Sequence, residues 1–427
     1  MRGLFPDISP LRDSPAFRLL WFGQIISMTG SMVRFVAIPY QVYLLTGSPL
    51  AVGLIGLFQA IPTIVLSLFG GVIADRVDRR QLLIVTQVCL TATSVVLAVS
   101  TGLGLVSVPI LYALTAVGAS FAALDSPARS ALIPSLLPRR QVQAAVTLNQ
   151  TQFQTAAVLG PALAGILIAN VGLATTYWID AVTYLAAIGA LVAMRQTARP
   201  AVGHASVLRS LVEGIAYLGV RRILLATMSL DFFATLFGSW RALLPYYADQ
   251  VFRVGPEGLG LLYAAPGAGA LVVALSAGWT NRVERQGLAI LAAVTVFGLS
   301  VAAFGALPRE GFVLGLILLA LAQGADTVSS IFRQTILQLE VPDALRGRLN
   351  AINMMFVFGG PTLGQVQSGA VASLWNPVAA IVSGGLECVA AVGAIALIAP
   401  RLIRYRPEIS SADAIEAPSE ISTPTGP

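Results

Sequence analysis

Gly71-Val72-Ile73-Ala74-Asp75-Arg76-Val77-Asp78-Arg79-Arg80 is a short charged run set between two long apolar stretches, and it returns in degenerate form from Ala277 to Gln286. Superposing Asp75 to Arg80 on Asn281 to Gln286 takes a shift of 206 residues (281 − 75), close to half of the 427-residue chain. The same shift places Pro39-Tyr40 on Pro245-Tyr246. A shift of 204 (333 − 129) places Arg129 on Arg333, Pro138 on Pro342, Asn149 on Asn353, Gly160 on Gly364 and Gly165 on Gly369. The chain reads as two copies of one membrane-embedded unit, an arrangement that points to transport across the bilayer.

Composition demands lipid independently. Hydrophobic residues make up 56% and charged residues 11%, and the mean hydropathy is +0.81. Such a chain cannot cover its apolar surface with polar side chains in water. Segments of about 20 residues cross ~30 Å of hydrocarbon. They are read at 17–44, 50–73, 82–102, 106–125, 144–169, 173–194, 222–248, 257–280, 287–307, 311–332, 348–373 and 376–399. The expected fold is an all-α membrane protein with twelve transmembrane helices in two pseudo-symmetric six-helix bundles. Its divisions are an N-terminal bundle at 1–194, a cytoplasmic linker at 195–221, a C-terminal bundle at 222–399 and a disordered cytoplasmic tail at 400–427. Within the linker, 208–218 suits a short amphipathic helix on the membrane surface. A β-barrel is excluded, because its strands would alternate in polarity.

All 26 basic residues are arginine. With both termini inside, 22 of them fall on the cytoplasmic side, and only Arg253 and Arg309 fall in outer loops. This is the bias of the positive-inside rule, so the positive charge reflects topology and not nucleic-acid binding, which needs a soluble basic face. Cys89 and Cys388 lie in apolar helices as core residues, and one histidine, His204, cannot build a metal site. Neither a phosphate-binding loop nor a nucleophile elbow is present, so no enzyme, cofactor or metal is expected. The expected partners are a small-molecule substrate, protons and membrane lipids, with the chain acting as a monomer.

The charged run resembles the signature of the major facilitator superfamily. Gly71, Asp75, Arg76, Arg79 and Arg80 match its pattern G-x-x-x-D-R-x-x-R-R, with Asp78 inside it. The resemblance implies that this loop locks the inner gate across the two halves, because carboxylates favour helix N-termini and arginines favour carboxylates and C-terminal carbonyls. Gly160-Pro161-Ala162-Leu163-Ala164-Gly165 is similar to the G-P-x-x-G-G element of proton-driven exporters, with Ala164 in place of the first closing glycine. Arg241 to Asp249, Gly260 to Pro266 and Pro342 to Asn350 resemble the enterobactin-exporter-like branch, which moves siderophores and drugs.

The intramembrane charges expected to matter are Arg34, Asp231, Arg241, Asp326 and Glu387. In the superfamily, helices 1, 4, 7 and 10 line the cavity, which implies that the first four of these face the pathway. Asp231 is the candidate proton carrier, because desolvation penalises its charged form. Asp326 is next, with Arg333 one to two turns on as a pairing alternative. Arg34 and Arg241 either hold these carboxylates or attract an anionic substrate. Asp125, ahead of Arg129, suits a gate or helix-end role. Phe35, Tyr40, Tyr43, Phe232, Phe233, Phe237, Trp240, Tyr246 and Phe332 suit an amphipathic cargo with rings. The expected function is secondary active transport in a bacterial inner membrane, as a proton-coupled antiporter exporting a siderophore or drug. The alternative is a proton-coupled importer of a small metabolite.

Overall fold

The computed structural model describes residues 7–194, 217–219 and 221–406, with the side chains of 67–76, 281, 343, 344, 347 and 351 excepted. Most of the expected linker, including His204 and the surface helix, lies outside the described residues, as does the tail beyond 406.

Long helices carry the described chain: α1 (Pro15–Thr46), α2 (Pro49–Arg76), α3 (Arg79–Gly102) and α4 (Val108–Leu136). The run Arg139–Ala193 breaks at Gly172, φ 77°, into α5 (139–171) and α6 (173–193). There follow α7 (Arg222–Phe237), α8 (Gly255–Ser276), α9 (Gln286–Gly305), α10 (Phe312–Glu340), α11 (Asp343–Leu374) and α12 (Pro377–Ile398). Ten helical stretches among the described residues are long and apolar enough to cross a membrane. Arg139–Ala193 counts once among them, and Asp343–Leu374 is not one of them.

Helix ends follow local chemistry. Ser14 caps α1 by accepting from the Phe17 amide, and Asn376 caps α12 by accepting from the Ala379 amide at 2.7 Å. Asp78 caps α3, its Oδ1 accepting from the amides of Arg80 (2.9 Å) and Gln81 (3.0 Å). Gly47 ends α1 in the left-handed region at φ 61°, which only glycine adopts without strain.

Past α7 the chain does not continue as a regular helix. It passes through a 3₁₀ turn at Arg241–Leu243, one α-turn at Leu244–Tyr246 and a π-turn at Tyr247–Val251. Pro245 has no N–H to give the carbonyl four residues back, which is that of Arg241. The Tyr263 hydroxyl donates to that carbonyl instead, at 3.0 Å. The span expected at 222–248 contains this break, and Arg222–Val251 still counts as one stretch long and apolar enough to cross a membrane.

The repeat reappears as two matched seams between the halves, α5 against α8 and α2 against α11. A Cβ at Gly165 would stand 2.6 Å from the Pro256 carbonyl oxygen; one at Gly369 would stand 2.7 Å from that of Pro49. Gly260 would meet Pro161 O at 2.6 Å, and Gly53 would meet the carbonyl of Gln365. Small residues let the backbones touch, which is how helices associate in lipid. Both seams lie at the end of the molecule away from the arginine-rich loops, hereafter the basic end.

The expected tail begins too early. Pro400–Ile403 is helical, Leu402 is buried, and the Tyr405 hydroxyl donates to Glu340 Oε1 at 3.0 Å. Two apolar side chains have core to fill there, so the chain stays packed to Arg406, which pairs with Glu284 at 3.4 Å.

Candidate functional site

Between the halves lies a cavity of about 540 Å³. Ser126, Ser130 and Gln150, all exposed, line its side nearest the basic end, so it opens there while the seams close the opposite end. Most of its wall comes from the first half; Arg241, Tyr263 and Gln365 are the second half's contribution. Arg34 and Arg241 line it. Asp231 and Asp326 do not, and α10 contributes no lining residue. Of the nine expected aromatics only Phe35 lines the cavity, joined by Phe153, Tyr184 and Tyr263. Phe332 packs instead on Trp279, and Trp240 on Phe297.

Arg34 is held on every nitrogen. Nη1 donates to Ser94 Oγ (3.1 Å) and Thr93 Oγ1 (3.3 Å), Nη2 donates to the Tyr184 hydroxyl (2.9 Å), and Nε lies 3.7 Å from Asp180 Oδ2. Ser94 also donates to that oxygen at 2.6 Å. Asp180 is fully buried and its Oδ1 accepts no hydrogen bond. This aspartate is absent from the intramembrane set read in the sequence. Its signal was there, since a carboxylate within the apolar span 173–194 needs a partner.

Deeper toward the basic end, Asp125 accepts from Thr86 (2.9 Å), Gln87 (2.9 Å) and Arg129 (Nη2, 2.7 Å). A charge at this depth is tolerated because every lone-pair direction is used. The repeat counterpart of Arg129 is Arg333, the pairing alternative read in the sequence for Asp326. It is partly buried within α10, where Nη1 pairs with Asp231 Oδ1 at 2.5 Å and Nη2 lies 3.8 Å from Asp326 Oδ1. Gln323 donates to the other Asp326 oxygen at 2.9 Å. Two carboxylates therefore share one guanidinium.

At the basic-end loop, Arg79 Nη1 donates to the Ala131 carbonyl (2.9 Å), and Arg80 donates through Nε to Leu191 O (2.6 Å) and Nη2 to Val192 O (2.9 Å). Ala131 lies five residues before the end of α4; all three carbonyls are in the first half, and those of Leu191 and Val192 end α6. The latter two are helix C-terminal oxygens, which attract cations. The side chains of Asp75 and Arg76, and what surrounds Gly71, lie outside the described residues. Gly160 of the helix-five element would meet Thr29 O at 3.0 Å with a Cβ, so it admits α1, while Pro161 and Gly165 form the α5–α8 seam.

A duplicated helical unit, seams closed at one end and a charged cavity open at the other define a membrane transporter. The chain belongs to the transmembrane secretion effector family of the major facilitator superfamily, which matches residues 6–425. It is 27% identical to the enterobactin exporter EntS of Shigella boydii serotype 18 over 410 residues, 95% of this chain and 98% of that protein. Identity and coverage are the same for EntS of Escherichia coli O81. Similar solved structures include a POT family transporter in complex with 5-aminolevulinic acid, at 11% identity and TM-score 0.74, covering 91% of this chain and 97% of that one. The nucleoside transporter NupG is similar at 13% identity and TM-score 0.68, covering 91% and 98%. The D-xylose-proton symporter is similar at 15% and 0.65, covering 88% and 96%. At such identities the likeness to these structures concerns the fold alone.

Proposed function

We propose that this transporter is a proton-coupled antiporter that exports an amphipathic small molecule, a siderophore or a drug, by alternating access. Twelve membrane-spanning helices form two six-helix bundles in a bacterial inner membrane, with both termini cytoplasmic and the monomer as the working unit. The observation that carries this reading is the pair of glycine seams closing one end over a cavity open at the basic end. The arginine bias makes the basic end cytoplasmic, so the cavity loads from inside. The 27% identity to enterobactin exporters over nearly the full chain supports the outward direction.

Coupling is assigned to Asp231, Asp326 and Arg333. One guanidinium faces two carboxylates, so one negative charge of the cluster has no cation of its own, the arrangement a proton relay needs. Asp231, the more buried of the two, carries the proton on this reading, and Asp326 is the alternative carrier within the same coupled pair. The loop from Gly71 to Arg80 serves as the inner gate when the basic end closes. The test is accumulation of candidate compounds in cells with and without the protein, with and without a protonophore. Lower accumulation that the protonophore abolishes supports the proposal; higher accumulation establishes the importing alternative.

A further inference from the structure

Four arginines lie against the cavity or the carboxylates near it, and three of them have carboxylate partners: Arg34 with Asp180, Arg129 with Asp125, and Arg333 with Asp231 and Asp326. Arg241 is different. Among the described residues no carboxylate lies within ion-pair distance of it, and none of its guanidinium nitrogens donates to a protein group. Asp326 faces Arg333 instead, at 3.8 Å. Arg241 nonetheless lines the cavity, its guanidinium 5.8 Å from the centroid of Phe35. The Tyr263 ring meets Phe35 edge-on at 5.8 Å, and the Tyr263 hydroxyl fixes the backbone of Arg241 itself.

An arginine at this depth without a counter-ion is costly. Here the backbone has been bent to place it: the break after α7 and the Tyr263 bond to its carbonyl hold the residue at the cavity wall. A planar fork of donors resting on one aromatic ring matches a carboxylate carried on another.

We propose that Arg241 is the anion subsite of the cavity, taking a carboxylate attached to an aromatic ring system whose ring lies beside Phe35 and Tyr263. This rests on the reading of the cavity as the cargo site. It separates the two arginines that the sequence left equivalent: Arg34 holds a buried aspartate of the protein, while Arg241 holds an anion of the cargo.

The test is binding of a matched pair of probes, 2-naphthoate and the neutral 2-naphthamide, to the purified full-length protein by titration calorimetry. A charge-assisted hydrogen bond contributes about 1.5–3 kcal/mol, so the carboxylate should bind at least about tenfold more tightly than the amide. Arg241→Gln should bring the ratio close to one by weakening the carboxylate alone, and Arg241→Lys should keep part of the preference. A wild-type ratio near one, absence of carboxylate binding at millimolar concentration, or an undiminished ratio in folded Arg241→Gln overturns the assignment. Should Arg241→Gln not fold, the wild-type ratio decides alone. Because no gradient is involved, the outcome is separable from the export reading. A ratio near one removes the subsite and leaves export standing, whereas failure of the cell assay with an intact ratio removes export and leaves the subsite.

Discussion

Replacing Gly165 with alanine adds one carbon at a tight point of the α5–α8 seam. That Cβ would stand 2.6 Å from the Pro256 carbonyl oxygen and 3.0 Å from Glu257 Cα, some 0.8 Å inside the 3.4 Å at which ordinary contact begins. Both obstacles are backbone, so no side chain can swing aside. Overpacking of this kind costs about 1–3 kcal/mol. The gain in helix propensity from glycine to alanine, about 1 kcal/mol, applies whether the seam is open or closed and cancels. The ratio of closed to open seam should therefore fall by about 5- to 150-fold. Gly189 supplies the control, since it lies on α6 with nothing within 4 Å of the added carbon. Spin labels at Asn170 and Gln250, both exposed near this end, would report the seam as a distance distribution. Gly165→Ala should shift weight to longer distances and Gly189→Ala should not. Gly369→Ala, 2.7 Å from Pro49 O in the matched seam, should behave like Gly165→Ala with labels across α2 and α11. If Gly165→Ala keeps the wild-type distribution and turnover, the seams are passive packing and the closed end is not a moving gate.

The other expectations concern charge. Asp231→Asn should stop proton-driven pumping while leaving downhill exchange largely intact; pumping against a gradient at the wild-type rate moves the proton to Asp326. Arg34→Gln leaves the fully buried Asp180 without its cation and should lower stability by about 3–5 kcal/mol, visible as a drop in melting temperature that Asp180→Asn partly restores. Equal stability of the single and double variants would refute the pairing. Arg79→Ala removes a tie to α4 and should reduce turnover more than cargo affinity; unchanged turnover makes the loop a topology signal only. Cysteines at positions 203 and 284 should resist an impermeant reagent in intact cells, and labelling of either would reverse the orientation.

What was legible in the sequence was whatever repeats or whatever lipid makes costly. The 204-residue shift that pairs Gly160 with Gly364 and Gly165 with Gly369 is the shift that pairs the two seams: Gly165 meets Pro256, Gly369 meets Pro49, and Gly364 meets Leu236 and Thr235 on α7 much as Gly160 meets Thr29 and Met32 on α1. Partner choice was not legible, because it depends on which helix faces turn together. Arg333 was legible as a partner for Asp326 on its own helix, but not for Asp231, which reaches it from α7. Asp180 went unread although its cost was visible, and the expected aromatic lining failed because hydropathy does not say whether a ring on an apolar helix meets cargo, lipid or a neighbouring helix.

The arginines related by the repeat show where the two halves have diverged. Arg129 pairs with Asp125 four residues back on its own helix, whereas Arg333 reaches across to Asp231 on α7. The first half thus keeps this pair on one helix and supplies most of the cavity wall, while the second half uses the matching arginine to tie α10 to α7. Asp231 and Arg241 lie ten positions apart (241 − 231) in one run of chain, about 15 Å if it were fully helical, with the break after Phe237 between them. On the coupling proposed above, protonation loosens the Asp231–Arg333 tie at one side of that break, and the cavity arginine lies on the other side. Cargo and proton then need not compete for a single group: the bend in α7 carries the change from one to the other. Gly238→Ala tests this link, since a Cβ there would meet the Phe297 ring and stiffen the bend. It should slow proton-coupled transport while leaving carboxylate binding at Arg241 in place, and coupled turnover at the wild-type rate would show that the break is not the route.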